Sequence, residues 1–226
     1  MSRVRIVIFA KAPLPGQAKT RLISSLGAQG AADLAQRMLT HTLGQALAAA
    51  VGPVELCVTP SPDAAVWQSL TAPAAVAWSD QGEGDLGTRM ARAAQRVIDA
   101  GESVLLIGTD CPALDAARLR RAATSLQHFD ATLIPTADGG YVLLGLNRFD
   151  ASLFEDIEWS TGSVAVETLR RLAQLGWNVE KGQTVHDIDD AADLRWLPRE
   201  WLTPLPERES AEDKINRILN LTTSGS

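Results

Sequence analysis

The densest chemistry in this sequence lies in one short stretch, Phe9-Ala10-Lys11-Ala12-Pro13-Leu14-Pro15-Gly16-Gln17-Ala18-Lys19-Thr20-Arg21-Leu22. Three cations, Lys11, Lys19 and Arg21, fall close together in a chain whose formal charge is -6. Pro13 and Pro15 stiffen the segment, and Gly16 permits a close backbone approach or a positive φ. Lysines acting as point charges, an arginine fork and loop N–H groups together suit a di- or triphosphate. The candidate phosphate-binding set is therefore Lys11, Pro15, Gly16, Lys19, Thr20 and Arg21. The stretch is not a Walker A loop, because Pro13 and Ala18 stand where that motif needs glycine. The same letters also fit a solvated basic loop.

Carboxylates supply the complementary chemistry. Asp110 follows the strong apolar run Ser103 to Ile107 and precedes Pro112. A carboxylate held there beside phosphates is a natural ligand for Mg²⁺ or Mn²⁺, since hard cations prefer oxygen. The competing reading is a helix cap near Leu114. Asp187 and Asp189 alternate along an extended segment and so point the same way, where either completes a metal site with Asp110. A capped helix start explains them equally well. In Asp138-Gly139-Gly140-Tyr141 the glycines let a sugar or base lie against the backbone, with Asp138 reaching a ribose or acceptor hydroxyl; a hairpin turn uses the same letters. Ser160 and Thr161 bring hydroxyls to a predicted helix start, as an anion or acceptor contact or as ordinary caps. Gly84, Asp85 and Arg89 open another helix that could line a nucleotide pocket. Cys111 is a conceivable nucleophile, but His41, His128 and His186 are not arranged to supply a base.

Elements that could position these groups alternate in type. Strand-like runs at Val4 to Phe9, Pro53 to Val58, Ala75 to Trp78, Ser103 to Ile107, Ala131 to Ile134, Tyr141 to Leu146 and Trp177 to Glu180 are interleaved with helical patterns. The helices are read over Gly30 to Ala50, from Leu86, over Asp115 to Leu126, and over Ser163 to Leu175. This is the signature of βαβ units, and it predicts an α/β fold with ligands beyond the carboxyl ends of the strands. No repeat or linker divides the chain, so the expected domain spans residues 1–200. A charged tail, 201–226, is expected to carry a helix over Glu212 to Leu221 with a frayed end.

At 226 residues, with 46% hydrophobic and 21% charged residues, the composition is that of an ordinary globular protein. The acidic balance argues against broad nucleic-acid binding, which relies on many Lys and Arg contacts, but not against a small phosphate-bearing ligand. There is no apolar signal segment or run of spanning length, so no membrane partner and a cytoplasmic location are expected. Two cysteines form neither a disulfide framework nor a Cys/His metal cluster.

The blocks Phe-Ala-Lys-Ala-Pro-x-Pro-Gly-x-x-Lys-Thr-Arg-Leu, Gly-Asp-Leu-Gly-x-Arg-Met, Gly-Thr-Asp-Cys-Pro, Asp-Gly-Gly-Tyr-x-Leu-x-Gly-Leu and Trp-Ser-Thr resemble the bacterial group formerly called DUF2064. That group is described as glycosyltransferase-like and placed among the nucleotide-diphospho-sugar transferases. The resemblance implies the GT-A fold, a three-layer α/β/α domain with a mostly parallel mixed sheet. Lys19-Thr20-Arg21-Leu22 is similar to the Lys-Ser-Arg-Leu loop of 2-phospholactate guanylyltransferases. Asp187 to Leu194 is similar to the Asp-x-Asp-Thr-Pro-Glu-Asp-Leu ending of molybdenum-cofactor nucleotidyltransferases, with Asp190-Ala191-Ala192 replacing Thr-Pro-Glu. By resemblance, Lys19 and Arg21 bind phosphate, Asp110 holds the metal, and Asp187 or Asp189 is a second ligand. Lys19 and Asp110 are the expected catalytic pair.

The expectation is a metal-assisted transferase acting on a nucleotide or nucleotide sugar and a small-molecule acceptor. Glycosyl transfer is the first reading, and nucleotidyl transfer to a phosphorylated small molecule the second. A non-catalytic nucleotide-binding protein is the third. Nothing in the sequence specifies an oligomeric state.

Overall fold

The computed structural model describes residues 3–201. Its centre is a seven-stranded sheet built from β1 (Val4–Lys11), β2 (Val54–Thr59), β3 (Ala77–Asp80), β4 (Ser103–Ile107), β5 (Ala131–Pro135), β6 (Tyr141–Leu146) and β7 (Val179–Lys181). The strand order is β3-β2-β1-β4-β6-β5-β7. β1 pairs in parallel with β2 and with β4, and β2 with β3. β6 runs antiparallel between β4 and β5, while β5 and β7 are parallel. Six of the seven strands thus point one way. The sheet is mixed and mostly parallel, as expected.

Among the described residues, four α-helices cover it: α1 (Ile23–Ala49), α2 (Leu86–Asp99), α3 (Ala116–Ser125) and α4 (Val164–Gln174). Strand side chains alternate between faces, and the two cores follow that alternation. Ile6 and Ile8 pack with Leu39 and Leu43 of α1 and Leu119 and Ala122 of α3. Val7, between them in sequence, packs with Met90, Ala94 and Val97 of α2 and Ala165 and Leu172 of α4. Burial on both faces is why β1 and β4 read as unbroken apolar runs. The result is a three-layer α/β/α fold.

Several boundaries differ from the sequence reading, most by one or two residues, and two differences have a clear physical reason. α1 starts at Ile23 rather than Gly30, after a 3₁₀ turn over Thr20–Leu22, and its first turn is separated from the rest by a break at Gly27. The buried apolar stripe begins only at Ala31, so periodicity could not reveal the earlier turn. β3 lies two residues later than expected, because its register is set by Glu55 pairing with Ala77 and Val58 with Asp80. The compact unit carrying the sheet ends at Arg195, and Arg199–Trp201 forms a separate short 3₁₀ turn. The helix expected over Glu212 to Leu221 lies outside the described residues. Among the described residues, no helix is long and apolar enough to cross a membrane.

One charged group is embedded in this frame. The Glu55 side chain on β2 is 2% exposed and accepts a 2.6 Å hydrogen bond from the Ser79 hydroxyl. The Arg96 guanidinium of α2 reaches both carboxylate oxygens, and Arg5 lies 3.5 Å away. Burial works to raise the pKa of this carboxyl, but Arg96 and Ser79 hold it below its ordinary value. Removing one partner of a buried pair typically costs 3–5 kcal/mol; Glu55→Ala is expected to cost about 2 kcal/mol, because the freed Arg96 can still reach water. Urea unfolding at pH 7 measures this. A group with a lowered folded pKa contributes stability above its unfolded value, so the gap between wild type and variant should close as pH falls through the folded value.

Candidate functional site

Parallel strands deliver their following loops to one edge of a sheet, and that edge carries a cleft of about 700 Å³. The loop after β1 contributes Lys11, Lys19, Thr20 and Arg21, and the loop after β4 contributes Thr109 and Asp110. Asp138 and Gly140 come from the turn between β5 and β6, Ser160 and Thr161 from the approach to α4, and Asp187 and Asp189 from the segment beyond β7. Most of the residues singled out from the sequence therefore share one cavity.

Lys19 occupies an unexpected position there. Its backbone is left-handed, at φ 46° and ψ 47°, a conformation a non-glycine residue adopts at a cost. Its ammonium donates to Asp110 Oδ1 at 2.6 Å, to Asp189 Oδ1 at 2.9 Å and to the Ile188 carbonyl at 2.5 Å. All three ammonium hydrogens are used. The side chain is 9% exposed. Burial alone would lower its pKa, but the two aspartates outweigh burial and raise it. Lys11 and Arg21, by contrast, are exposed and have no carboxylate partner among the described residues.

Backbone pairing brings the distant aspartates here. Val185 N–H donates to the Pro135 carbonyl and Ala137 N–H to the Val185 carbonyl, extending the edge of β5. Ile188 N–H then donates to the Asp110 carbonyl at 2.8 Å. Carboxylate oxygens of Asp138, Asp187 and Asp189 consequently lie within 4.8 Å of one another. Asp138 is fixed by hydrogen bonds from Gly140 N–H and the Thr136 hydroxyl. Burial, followed by repulsion from Asp138 and Asp189, pushes the Asp187 carboxyl up to about 6. Oxygen-only donors at this spacing fit a hard divalent cation such as Mg²⁺ or Mn²⁺. The sequence reading paired Asp187 and Asp189 with Asp110; the fold also adds Asp138 to them, and gives Asp110 to Lys19.

Other predicted residues support the cleft without lining it. Pro15 and Gly16 shape the β1 loop, with Gly16 at φ 77°. Asp85 caps α2 by accepting from Thr88 N–H at 2.8 Å. Arg89 donates to the Gly84 carbonyl at 2.9 Å and to Gln81 Oε1 at 3.3 Å. Gln81 is buried and its amide donates to the carbonyls of Ala10 and Cys57, so this arginine braces a loop against β1 and β2. Gly139 has φ 94°, and a Cβ there would stand 2.0 Å from the Gly162 carbonyl oxygen. Its own carbonyl accepts from Ala165 N–H at 2.9 Å, which ties the start of α4 to the turn carrying Asp138. Tyr141, Trp159 and Gln81 line the cleft and were not singled out as site residues from the sequence. Trp159 and Tyr141 stand beside the Ser160 and Gly140 motifs, and that adjacency was the available signal. The Cys111 thiol is buried and pushed up to about 11, which removes it as a nucleophile at neutral pH.

Comparison with known proteins agrees with this architecture. The model of the family described as "Uncharacterized protein conserved in bacteria (DUF2064)" matches residues 42–161, and the chain belongs to that family. Among solved structures, a provisionally named nucleotide-diphospho-sugar transferase from Desulfovibrio desulfuricans G20 is 29% identical with a TM-score of 0.81, over 98% of this chain and 96% of that one. A nucleotidyl transfer protein from Methanothermobacter is 17% identical, with a TM-score of 0.56 over 88% and 98% of the two chains. The 4-diphosphocytidyl-2C-methyl-D-erythritol synthase of Anaerococcus prevotii is 11% identical, with a TM-score of 0.53 over 86% and 96%. The fold is that of the nucleotide-diphospho-sugar transferases. No curated protein sequence matches the chain significantly.

Gly139→Ala combines a positive φ with a backbone clash, and strained φ/ψ alone costs about 1–3 kcal/mol. The variant should lose at least about 2 kcal/mol in denaturant unfolding. Cys111 should resist a thiol reagent at pH 7.5 in the native protein and react promptly in denaturant, as followed by mass.

Proposed function

We propose that this chain is a divalent-metal-dependent transferase acting on a nucleotide donor and a small acceptor. The observation that carries this reading is the presence, within one cleft, of a cluster of aspartates and two cations, Lys11 and Arg21, that have no carboxylate partner among the described residues. Lys11 and Arg21 would hold the donor phosphates, Arg21 as a fork and Lys11 as a point charge. Asp187 and Asp189, flanked by Asp138 and Asp110, would hold Mg²⁺ or Mn²⁺. Such an ion supplies charge stabilisation to phosphate oxygens. Departure of a phosphate leaving group develops negative charge beside Lys11 and Arg21, which are already in place to stabilise it. Ser160, Thr161 and the Gly140 backbone lie on the α4 side of the cleft, where an acceptor would sit.

The finer reading is sugar transfer from a nucleotide-diphospho-sugar. An acceptor hydroxyl attacks the anomeric carbon, the bond to the β-phosphate oxygen breaks, and a nucleoside diphosphate leaves. The provisional name of the 29% identical neighbour supports it. A second reading is nucleotidyl transfer, in which an acceptor phosphate attacks the α-phosphorus and pyrophosphate leaves. It is favoured by the sequence grouping of Lys11, Lys19 and Arg21, of which Lys11 and Arg21 face the cleft while Lys19 is held by Asp110 and Asp189.

A panel of nucleotide sugars and nucleoside triphosphates with Mg²⁺ or Mn²⁺ tests both. Release of nucleoside diphosphate identifies sugar transfer, release of pyrophosphate identifies nucleotidyl transfer, and turnover of none with any small acceptor removes the enzymatic reading. Hydrogen bonds to charged groups are worth about 1.5–3 kcal/mol, so Lys11→Ala and Arg21→Ala should each weaken nucleotide binding about tenfold or more by calorimetry. A metal needs its carboxylates ionised. Because the Asp187 pKa is raised to about 6, Mn²⁺ affinity should fall as pH drops through that value, with proton release on binding near it. Affinity that stays flat between pH 7 and 5 would contradict Asp187 as a ligand.

A further inference from the structure

The position of Lys19 goes beyond that assignment. Its loop-mates Lys11 and Arg21 are open to a ligand, yet Lys19 is turned inward and spends every ammonium hydrogen on protein acceptors. Two of those acceptors are Asp110 Oδ1 and Asp189 Oδ1. Asp189 also belongs to the trio with Asp138 and Asp187, so one carboxylate serves both the ammonium and the oxygen cluster. Lys19 thus touches two aspartates, and through Asp189 it borders the other two carboxylates of the trio. The ammonium is therefore doing, for the Asp110–Asp189 pair, what a metal ion would do.

Resting on the metal- and nucleotide-binding reading above, we propose that Lys19 and a divalent cation compete for the gap between Asp110 and Asp189. Metal loading frees the Lys19 ammonium for phosphate, and the cleft takes its nucleotide as a metal complex. Hard cations bind carboxylate oxygens at about 2.0–2.6 Å. An ion bridging Asp110 and Asp189 at that range has no room for an ammonium 2.6 and 2.9 Å from the same two oxygens. Like charge adds to the exclusion. Displacement is mechanically simple, because lysine carries its charge on a flexible four-carbon stem. The left-handed backbone at Lys19 places the side chain on the aspartates, and Arg21 stands two residues further on in the same cleft. A released ammonium would join Lys11 and Arg21 at the donor phosphates.

Two measurements test this on the intact protein with metal alone, without nucleotide. Acylation of wild-type Lys19 by an amine-reactive ester, followed by peptide mass analysis, should be slow without metal and rise several-fold at saturating Mn²⁺. Lys11, already exposed, is the internal reference and should not change. A flat or falling Lys19 signal, or parallel rises at both lysines, overturns the proposal. In Lys19→Met the competitor is gone, so Mn²⁺ affinity by calorimetry should increase about tenfold or more; equal or weaker affinity overturns the proposal. If that variant does not fold, the labelling result decides. Mn²⁺ binding that leaves Lys19 protected refutes the competition but keeps the metal site, whereas failure of Mn²⁺ to bind either protein removes both.

Discussion

Parallel pairing of β1 with β4 at the middle of the sheet is the constraint on which the cleft depends. Val4 stands beside Ser103 and Ile8 beside Ile107. Because the strands run the same way in this register, the chain leaves both at one edge, and the basic loop and Asp110 emerge side by side. Antiparallel pairing of the same strands would put them at opposite ends of a sheet, separated by the length of a strand. Burial on both faces locks the register, since a one-residue slip would exchange the residues packed under α1 and α3 with those under α2 and α4.

Electrostatics then determine how the site rests. Several carboxylates brought into one partly buried place repel one another, and the fold tolerates them by two means. Lys19 pairs with both Asp110 and Asp189, offsetting one of their two negative charges, while Asp187 has a pKa raised by burial and its neighbours. Asp110 and Asp189 are 49% and 41% exposed, so water screens these pairs and they return little net stability. The Glu55–Arg96 pair is the contrast: it joins β2 to α2 away from the residues that line this cleft and has a structural role.

Several residues that looked like ligand contacts also support the loops around the cleft. Gly139 leaves no space for a Cβ beside Gly162, and its carbonyl, accepting from Ala165 N–H, ties α4 to the Asp138 turn. Arg89 and Asp85 brace the loop before α2. The sequence presented them in the same motifs as the lining residues, because a site and its support are carried on the same short loops.

The alternation of apolar runs and helical stripes determined the α/β class, and most elements were placed within a few residues, because periodicity and burial are local properties of the chain. Three cations on one loop and Asp110 at a strand end were also legible, for the same reason. Tertiary structure decided the rest. The grouping of Asp138 with Asp187 and Asp189 joins residues about fifty positions apart through hydrogen bonds at Val185 and Ile188 that no local pattern encodes. The inward turn of Lys19 likewise depends on acceptors some 170 residues away in sequence, so its letter revealed the charge while only the fold revealed where that charge is spent.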